Sequence, residues 1–216
     1  EKKITTYPRT GSRYISEDVF EEVPALLRKI GKTLSNPLNR HSVDNTKVTD
    51  HHAIIPTGET PSGLSTDEAT VYQMVSNRFV EAFSPDSEEE RMQVLFTDGN
   101  STFTWKACRQ ISLGWKAVKK DKVTEAERKE GDDEQILSSL PNLAQSELLT
   151  LLNAEITEHK TKPKPLYTEA ALLSAMENAG KEVEDAESKK AMAECGIGTP
   201  ATRANIIETL ILRDYI

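Results

Sequence analysis

Apolar positions recur along this chain with two different periods, and the change of period divides it into three parts. Val19, Phe20, Val23, Leu26, Leu27 and Ile30 fall on one stripe at helical spacing, with Ser16 placed as N-cap and Gly31 near the stop. Pro24 lies inside that stripe and is expected to tighten or interrupt the helix. Ser65-Thr66-Asp67-Glu68 reads as a capping box, and Val71, Tyr72, Val75, Phe79, Ala82 and Phe83 follow at helical spacing until Pro85. Residues 33 to 64, which hold His51 and His52, read as loop. Met92, Val94 and Phe96 then alternate, Asp98-Gly99-Asn100 offers a turn, and Phe103, Trp105 and Ala107 alternate again. Ile111 and Leu113 carry the pattern to Gly114-Trp115, so a hairpin or small antiparallel sheet is expected over roughly 90 to 120.

Beyond it the pattern predicts an exposed acidic loop over 121 to 135, then a further strand from Leu148 to Ile156. Lys160-Thr161-Lys162-Pro163-Lys164-Pro165 reads as a stiff basic connector. Thr168 is placed to cap a helix carrying Leu172, Leu173 and Met176 that ends near Gly180, and a polar stretch follows. Thr199-Pro200 pairs an N-cap with proline at the first helical position and opens a helix with Ile206, Ile207, Leu210 and Ile211. The order is helical, then β, then helical, with no internal repeat.

Composition changes this picture little. The chain is 37% hydrophobic and 29% charged with a mean hydropathy of -0.53, so no transmembrane span is expected. No signal peptide opens it, since Glu1-Lys2-Lys3 runs straight into the Tyr7 segment. Cys108 and Cys195 make no metal spacing and no disulfide framework, which fits a reduced cytoplasmic setting and inert thiols. Trp105 and Trp115 read as packing residues. There is no initiator Met, and Ile216 follows a helical pattern without a stop signal, so the chain reads as a piece of a longer protein.

Charge matters more. The net charge of -8 counts against a nucleic-acid partner, which usually leaves a basic footprint. Yet much of the acid is gathered in Glu88-Glu89-Glu90, Glu125 to Glu134 and Glu182 to Glu187, expected to be solvated loops or helix faces. The segments that carry chemistry are basic or neutral.

The first of these is Thr5-Thr6-Tyr7-Pro8-Arg9-Thr10-Gly11-Ser12-Arg13-Tyr14. A tyrosine hydroxyl titrates near pH 10, so it attacks phosphorus only where a cation steadies the phosphate and something takes up its proton. Arg9 offers a donor fork matched to two phosphate oxygens. Pro8 pushes Tyr7 toward extended geometry, which puts Tyr7 and Arg9 on the same side of the segment. By itself the triplet also fits a buried tyrosine with a surface arginine. The second segment is His51-His52-Ala53-Ile54-Ile55-Pro56-Thr57; two adjacent histidines in a loop resemble weak metal ligands, but no acid or cysteine at ligand spacing supports them. The third is Gly196-Ile197-Gly198-Thr199-Pro200-Ala201-Thr202-Arg203, where glycines before a capped helix leave N–H groups and a positive dipole end for a phosphate.

Taken in this order, and with Leu166-Tyr167-Thr168-Glu169-Ala170-Ala171-Leu172-Leu173, the three segments resemble the type IA DNA topoisomerases, closest to the topoisomerase III branch. The resemblance runs over the whole chain. It implies that Tyr7 attacks a DNA phosphodiester, with Arg9 and His51 at the phosphate, leaving a 5′-phosphotyrosyl link and a free 3′-hydroxyl. Resealing then needs no ATP. It further implies DNA contacts by Thr10, Arg13, Thr199, Thr202, Arg203 and Arg213, single-stranded segments being preferred. A multidomain α and β fold follows: a helical nucleophile-bearing domain over 1–85, part of an antiparallel β arch over 86–163, and the start of a helical DNA-binding base domain over 164–216. Mg²⁺ and the general acid would come from an N-terminal Toprim domain, which nothing in this chain matches. The parent would be a monomeric, cytoplasmic, nucleoid-associated enzyme without membrane attachment. One departure stands out: the family's aspartate after the Arg-Thr pair is Gly11 here. The competing expectation is a non-catalytic helical DNA-binding module using the helix after Thr199. A tyrosine recombinase is set aside, because its tyrosine lies near the C-terminus and Tyr7 does not.

Overall fold

The computed structural model describes residues 3 to 215 except Thr49, 120–133, His159, Lys162, Lys164 and 182–184. Most of the acidic run from Glu125 to Glu134, part of the basic connector and part of the Glu182 to Glu187 run therefore lie outside the described residues. The architecture is mixed α and β, with five α-helices and one three-stranded sheet among the described residues. Two compact units divide the chain: Glu1–Pro8 with Ser12–Leu148, and Arg9–Gly11 with Leu149–Ile216.

In the first unit, α1 spans Glu17–Lys29. The Ser16 hydroxyl accepts from Val19 N, and Glu17 and Asp18 sit in the first turn, where the helix dipole favours acid. Pro24 is accommodated without ending the helix; it forgoes one backbone bond on an exposed face. The stop is a Schellman arrangement: Lys32 N donates to Leu27 O and Gly31 N to Arg28 O, with Gly31 at φ 72°. Helix α2, Thr66–Phe83, opens on the expected capping box, with Glu68 N bonded to Ser65 Oγ and Ser65 N to Glu68 Oε2. Its buried stripe is turned from the expected one: Val71 is exposed, while Val80 joins Phe79 and Phe83 in the interior. The core of the unit is Ile15, Val23, Leu26, Leu27, Ile55, Phe79, Val80 and Phe83. Phe79 meets Phe83 edge-on at 5.2 Å between ring centroids.

Strands β1 (Glu88–Thr97) and β2 (Thr102–Ser112) form the expected hairpin. Glu88 pairs with Ser112 and Thr97 with Thr102, so Met92, Val94 and Phe96 share a face with Ala107, Trp105 and Phe103. Asp98 Oδ1 accepts from Asn100 N and Ser101 N and closes the turn. A two-residue strand β3, Gln135–Ile136, lies parallel to β2 at Ala107 and Cys108, just where the loop was expected to end. The hairpin stops short of Leu113. There Gly114, at φ 49°, turns the chain so closely past Asp86 O that a Cβ would sit 2.2 Å from it.

The second unit holds α3 (Glu169–Glu177), α4 (Ala186–Cys195) and α5 (Arg203–Leu212). Thr168 caps α3 as expected, its hydroxyl accepting from Ala171 N at 3.2 Å. Three expectations are corrected. Leu148 to Ile156 form no strand; no neighbouring backbone pairs with them among the described residues, and Leu148, Leu151, Leu152 and Ile156 are exposed. The polar stretch after Gly180 contains α4, opened by Asp185, whose carboxylate accepts from Ser188 N at 2.8 Å. Helix α5 begins at Arg203 instead of Thr199-Pro200, because Thr199 O accepts from Thr202 N and Arg203 N in a preliminary turn. It then stops at Leu212, with Asp214 at φ 54°, where a continuing helix was expected.

Candidate active site

Tyr7 is placed by a short antiparallel ribbon between residues 3–6 and 53–57. Thr57 N donates to Ile4 O at 3.1 Å and Thr6 N to Ile55 O at 2.9 Å, with Thr5 opposite Pro56. The Thr57 hydroxyl donates to Lys3 O. Pro56 opposes Thr5 at a non-hydrogen-bonded position, where the ladder asks for no N–H, and at the next pair a side chain takes over: Thr6 Oγ1 accepts from Ile55 N at 3.0 Å and donates to Ala53 O at 3.5 Å. The far side of the nucleophile loop is anchored by Ala53 N, which donates to Tyr14 O at 2.8 Å, and by Ile15 N, which donates to Ser42 O. Thr6 and Tyr14, which flank the tyrosine loop, thus both close onto the histidine segment.

The closure brings two expected site residues together. The rings of Tyr7 and His51 lie 4.3 Å apart between centroids, tilted by 34°. Tyr7 keeps 48% of its surface exposed, so the residue is open to solvent. His52 is directed elsewhere: its Nδ1 donates to Ala53 O at 2.6 Å, which fixes the ring against its own backbone. Arg9 and Arg13 are exposed and Thr10 is half-buried. An arrangement the sequence reading missed lies next to this loop. Lys47 Nζ stands 4.6 Å over the Tyr14 ring and 3.0 Å from Asp44 Oδ2. Bonds from the Thr46 hydroxyl and then Lys47 lower the Asp44 carboxyl to about pKa 2, so the aspartate stays ionised.

The second unit holds the glycine segment. Gly196, at φ 61°, passes so close to Glu177 O that a Cβ would lie 2.6 Å away, and Ile197 N donates to Met176 O at 2.8 Å. Arg203 is 8% exposed, and its guanidinium donates to Ile197 O at 3.0 Å and Gly198 O at 3.2 Å. That gives Arg203 a structural task beneath the loop. Thr202 Oγ1 accepts from Thr199 N, while Thr199 and Arg213 are exposed. Gly11, grouped with this unit, needs no glycine backbone: an added Cβ would meet Pro200 Cγ at 3.7 Å and Glu177 Oε1 at 3.9 Å, ordinary contacts.

Among the described residues no three of His, Cys, Asp and Glu gather as metal ligands. No helix among them is long and apolar enough to cross a membrane.

The sequence profile of the family described as DNA topoisomerase matches residues 1–216, the entire chain. The chain belongs to the DNA topoisomerase family. It is 35% identical to "DNA topoisomerase 3" of Bacillus licheniformis over 97% of its own length, covering 30% of that relative. Identity to the protein of the same name from Shouchella clausii is 34%, over 100% of this chain and 31% of the relative. For the one from Pasteurella multocida it is 34%, over 99% and 34%. The chain thus spans about a third of the length of these relatives.

Proposed function

We propose that this chain is the nucleophile-bearing part of a type IA DNA topoisomerase of the topoisomerase III kind. The observation that carries the reading is the exposed Tyr7 ring stacked at 4.3 Å on His51, two residues before Arg9, in a chain of the topoisomerase family. In this reading Tyr7 Oη attacks the phosphorus of one DNA strand. A Tyr7–phosphate bond forms, the bond from phosphorus to the 3′-oxygen breaks, and that oxygen leaves with a proton as a 3′-hydroxyl. Arg9 and His51 donate to the phosphate as charge builds on it. Because the phosphotyrosyl ester keeps the bond energy, the 3′-hydroxyl reverses the step without ATP after a second strand has passed.

Thr10, Arg13, Thr199, Thr202 and Arg213 would contact backbone phosphates, which favours single-stranded DNA with weak sequence preference. Arg203 would act by holding the glycine loop in shape. Residues 1–85 would form most of the helical domain that carries the tyrosine, 86–163 part of the β arch, and 164–216 the start of the base domain. Mg²⁺ would be held by carboxylates outside this chain, in a monomeric, cytoplasmic, nucleoid-associated parent.

The test is relaxation of negatively supercoiled plasmid by the intact protein with Mg²⁺. Wild type should relax it, and Tyr7→Phe should bind DNA yet relax none. Relaxation by Tyr7→Phe at the wild-type rate would sink the assignment of the nucleophile. Equal duplex binding by both proteins, with base preference and no relaxation, would favour a DNA-binding module.

A further inference from the structure

We infer that Thr6 is a positioning residue: its hydroxyl ends the ribbon at the point where the chain must turn Tyr7 onto His51. In a regular antiparallel pair, Thr6 and Ile55 would exchange two backbone bonds. Here only one is of that kind, from Thr6 N to Ile55 O at 2.9 Å. The other N–H, that of Ile55, goes to Thr6 Oγ1 at 3.0 Å, and the same hydroxyl gives its proton to Ala53 O at 3.5 Å. A side chain therefore takes the place of the Thr6 carbonyl, and the backbone leaves the ladder one residue before the tyrosine.

The register this sets is specific. The hydroxyl spans Ile55 to Ala53, and Ala53 lies two residues after His51. Ala53 is held from its other side too, its N–H donating to Tyr14 O at 2.8 Å and its carbonyl also accepting from His52 Nδ1. Both ends of the nucleophile loop thus converge on one residue, Ala53, and the Tyr7–His51 stack at 4.3 Å is the result. Serine preserves both hydroxyl bonds. Valine has the shape of threonine but leaves the partly buried Ile55 N–H without this acceptor. Misplacing reacting groups by about 1 Å can cost roughly 100-fold in rate, so the effect belongs to the chemical step and not to DNA affinity.

The experiment compares wild type, Thr6→Val, Thr6→Ala and Thr6→Ser in the intact protein, with two readouts. One is the His51 Cε1–H resonance under histidine-selective labelling, assigned with His51→Gln; its ring-current shift from Tyr7 is defined by Tyr7→Leu. The other is single-turnover cleavage of labelled single-stranded DNA, with Kd measured separately; this arm alone rests on the proposed topoisomerase reading. Thr6→Val and Thr6→Ala should lose the ring-current shift and cleave roughly 10- to 100-fold more slowly at unchanged Kd, while Thr6→Ser stays within about threefold of wild type. If Thr6→Val fails to fold, Thr6→Ala carries the comparison. A shift retained in both Val and Ala variants overturns the inference, and so does a lost shift with wild-type cleavage. A wild type that cleaves no DNA would refute the proposed function, while the resonance would still decide whether Thr6 sets the register.

Discussion

Arg203 places a guanidinium where solvent reaches only 8% of the residue and directs it to two backbone carbonyls of a loop built on positive-φ glycines. A lysine carries the charge but not the fork, so Arg203→Lys should lower the unfolding free energy of the second unit by about 1–3 kcal/mol, read by urea denaturation. Thr199→Ala, on the exposed side of the same loop, should change it by under about 0.5 kcal/mol. Gly11→Asp adds a side chain at a site with room for it but sets a carboxylate near Glu177, so its stability change should also stay within about 0.5 kcal/mol. Asp44 gives a pH signature. Its carboxyl is lowered from an ordinary value near 3.8 to about 2, so its stabilisation is complete above the ordinary value and is lost as pH falls through 2. Asp44→Asn should therefore melt below wild type at pH 7, with the gap closing as pH falls from 4 to 2. Tyr7, Arg9 and His51 could be singled out from residue type and order alone, and the structure sets the Tyr7 ring beside that of His51. The buried task of Arg203 was not legible, since an arginine beside threonines and glycines reads the same whether its fork meets a phosphate or a carbonyl. Thr6 was missed for a related reason: its partners lie 47 and 49 residues away.

At the scale of elements, local signals succeeded where a side chain decides its own hydrogen bond. The Ser65–Glu68 box, the Ser16 and Thr168 caps, the Gly31 stop and the Asp98 turn all form between residues close in sequence. Ser65→Ala should thus cost about 1 kcal/mol of stability in thermal unfolding. Signals that depend on distant partners were less legible. Val71 and Val80 are alike in chemistry, and only tertiary packing in the core of the first unit puts Val80 inside. Leu148 to Ile156 have the composition of a strand, but no strand pairs with them among the described residues, and a strand exists only with a partner. Helix α4 was hidden because a solvated helix of Glu187, Ser188, Lys189 and Lys190 shows no apolar stripe; Asp185 three residues before Ser188 was its one readable mark.

For the whole molecule, the proposed reaction rests on family membership and the Tyr7–His51 juxtaposition, in a chain that spans about a third of the length of the relatives it matches. With no metal-ligand cluster among its described residues, the 216-residue chain by itself should fail to relax plasmid DNA in Mg²⁺, in a gel assay where the intact protein succeeds. The most direct measurement is adduct mapping. The intact protein is incubated with Mg²⁺ and a labelled single-stranded suicide substrate, and the trapped species is digested and read by peptide mass. The expected result is a 5′-phosphate-linked nucleotide on the peptide containing Tyr7, absent from Tyr7→Phe. Firm DNA binding with no adduct, or an adduct on another residue, would contradict the assignment of Tyr7 as the nucleophile.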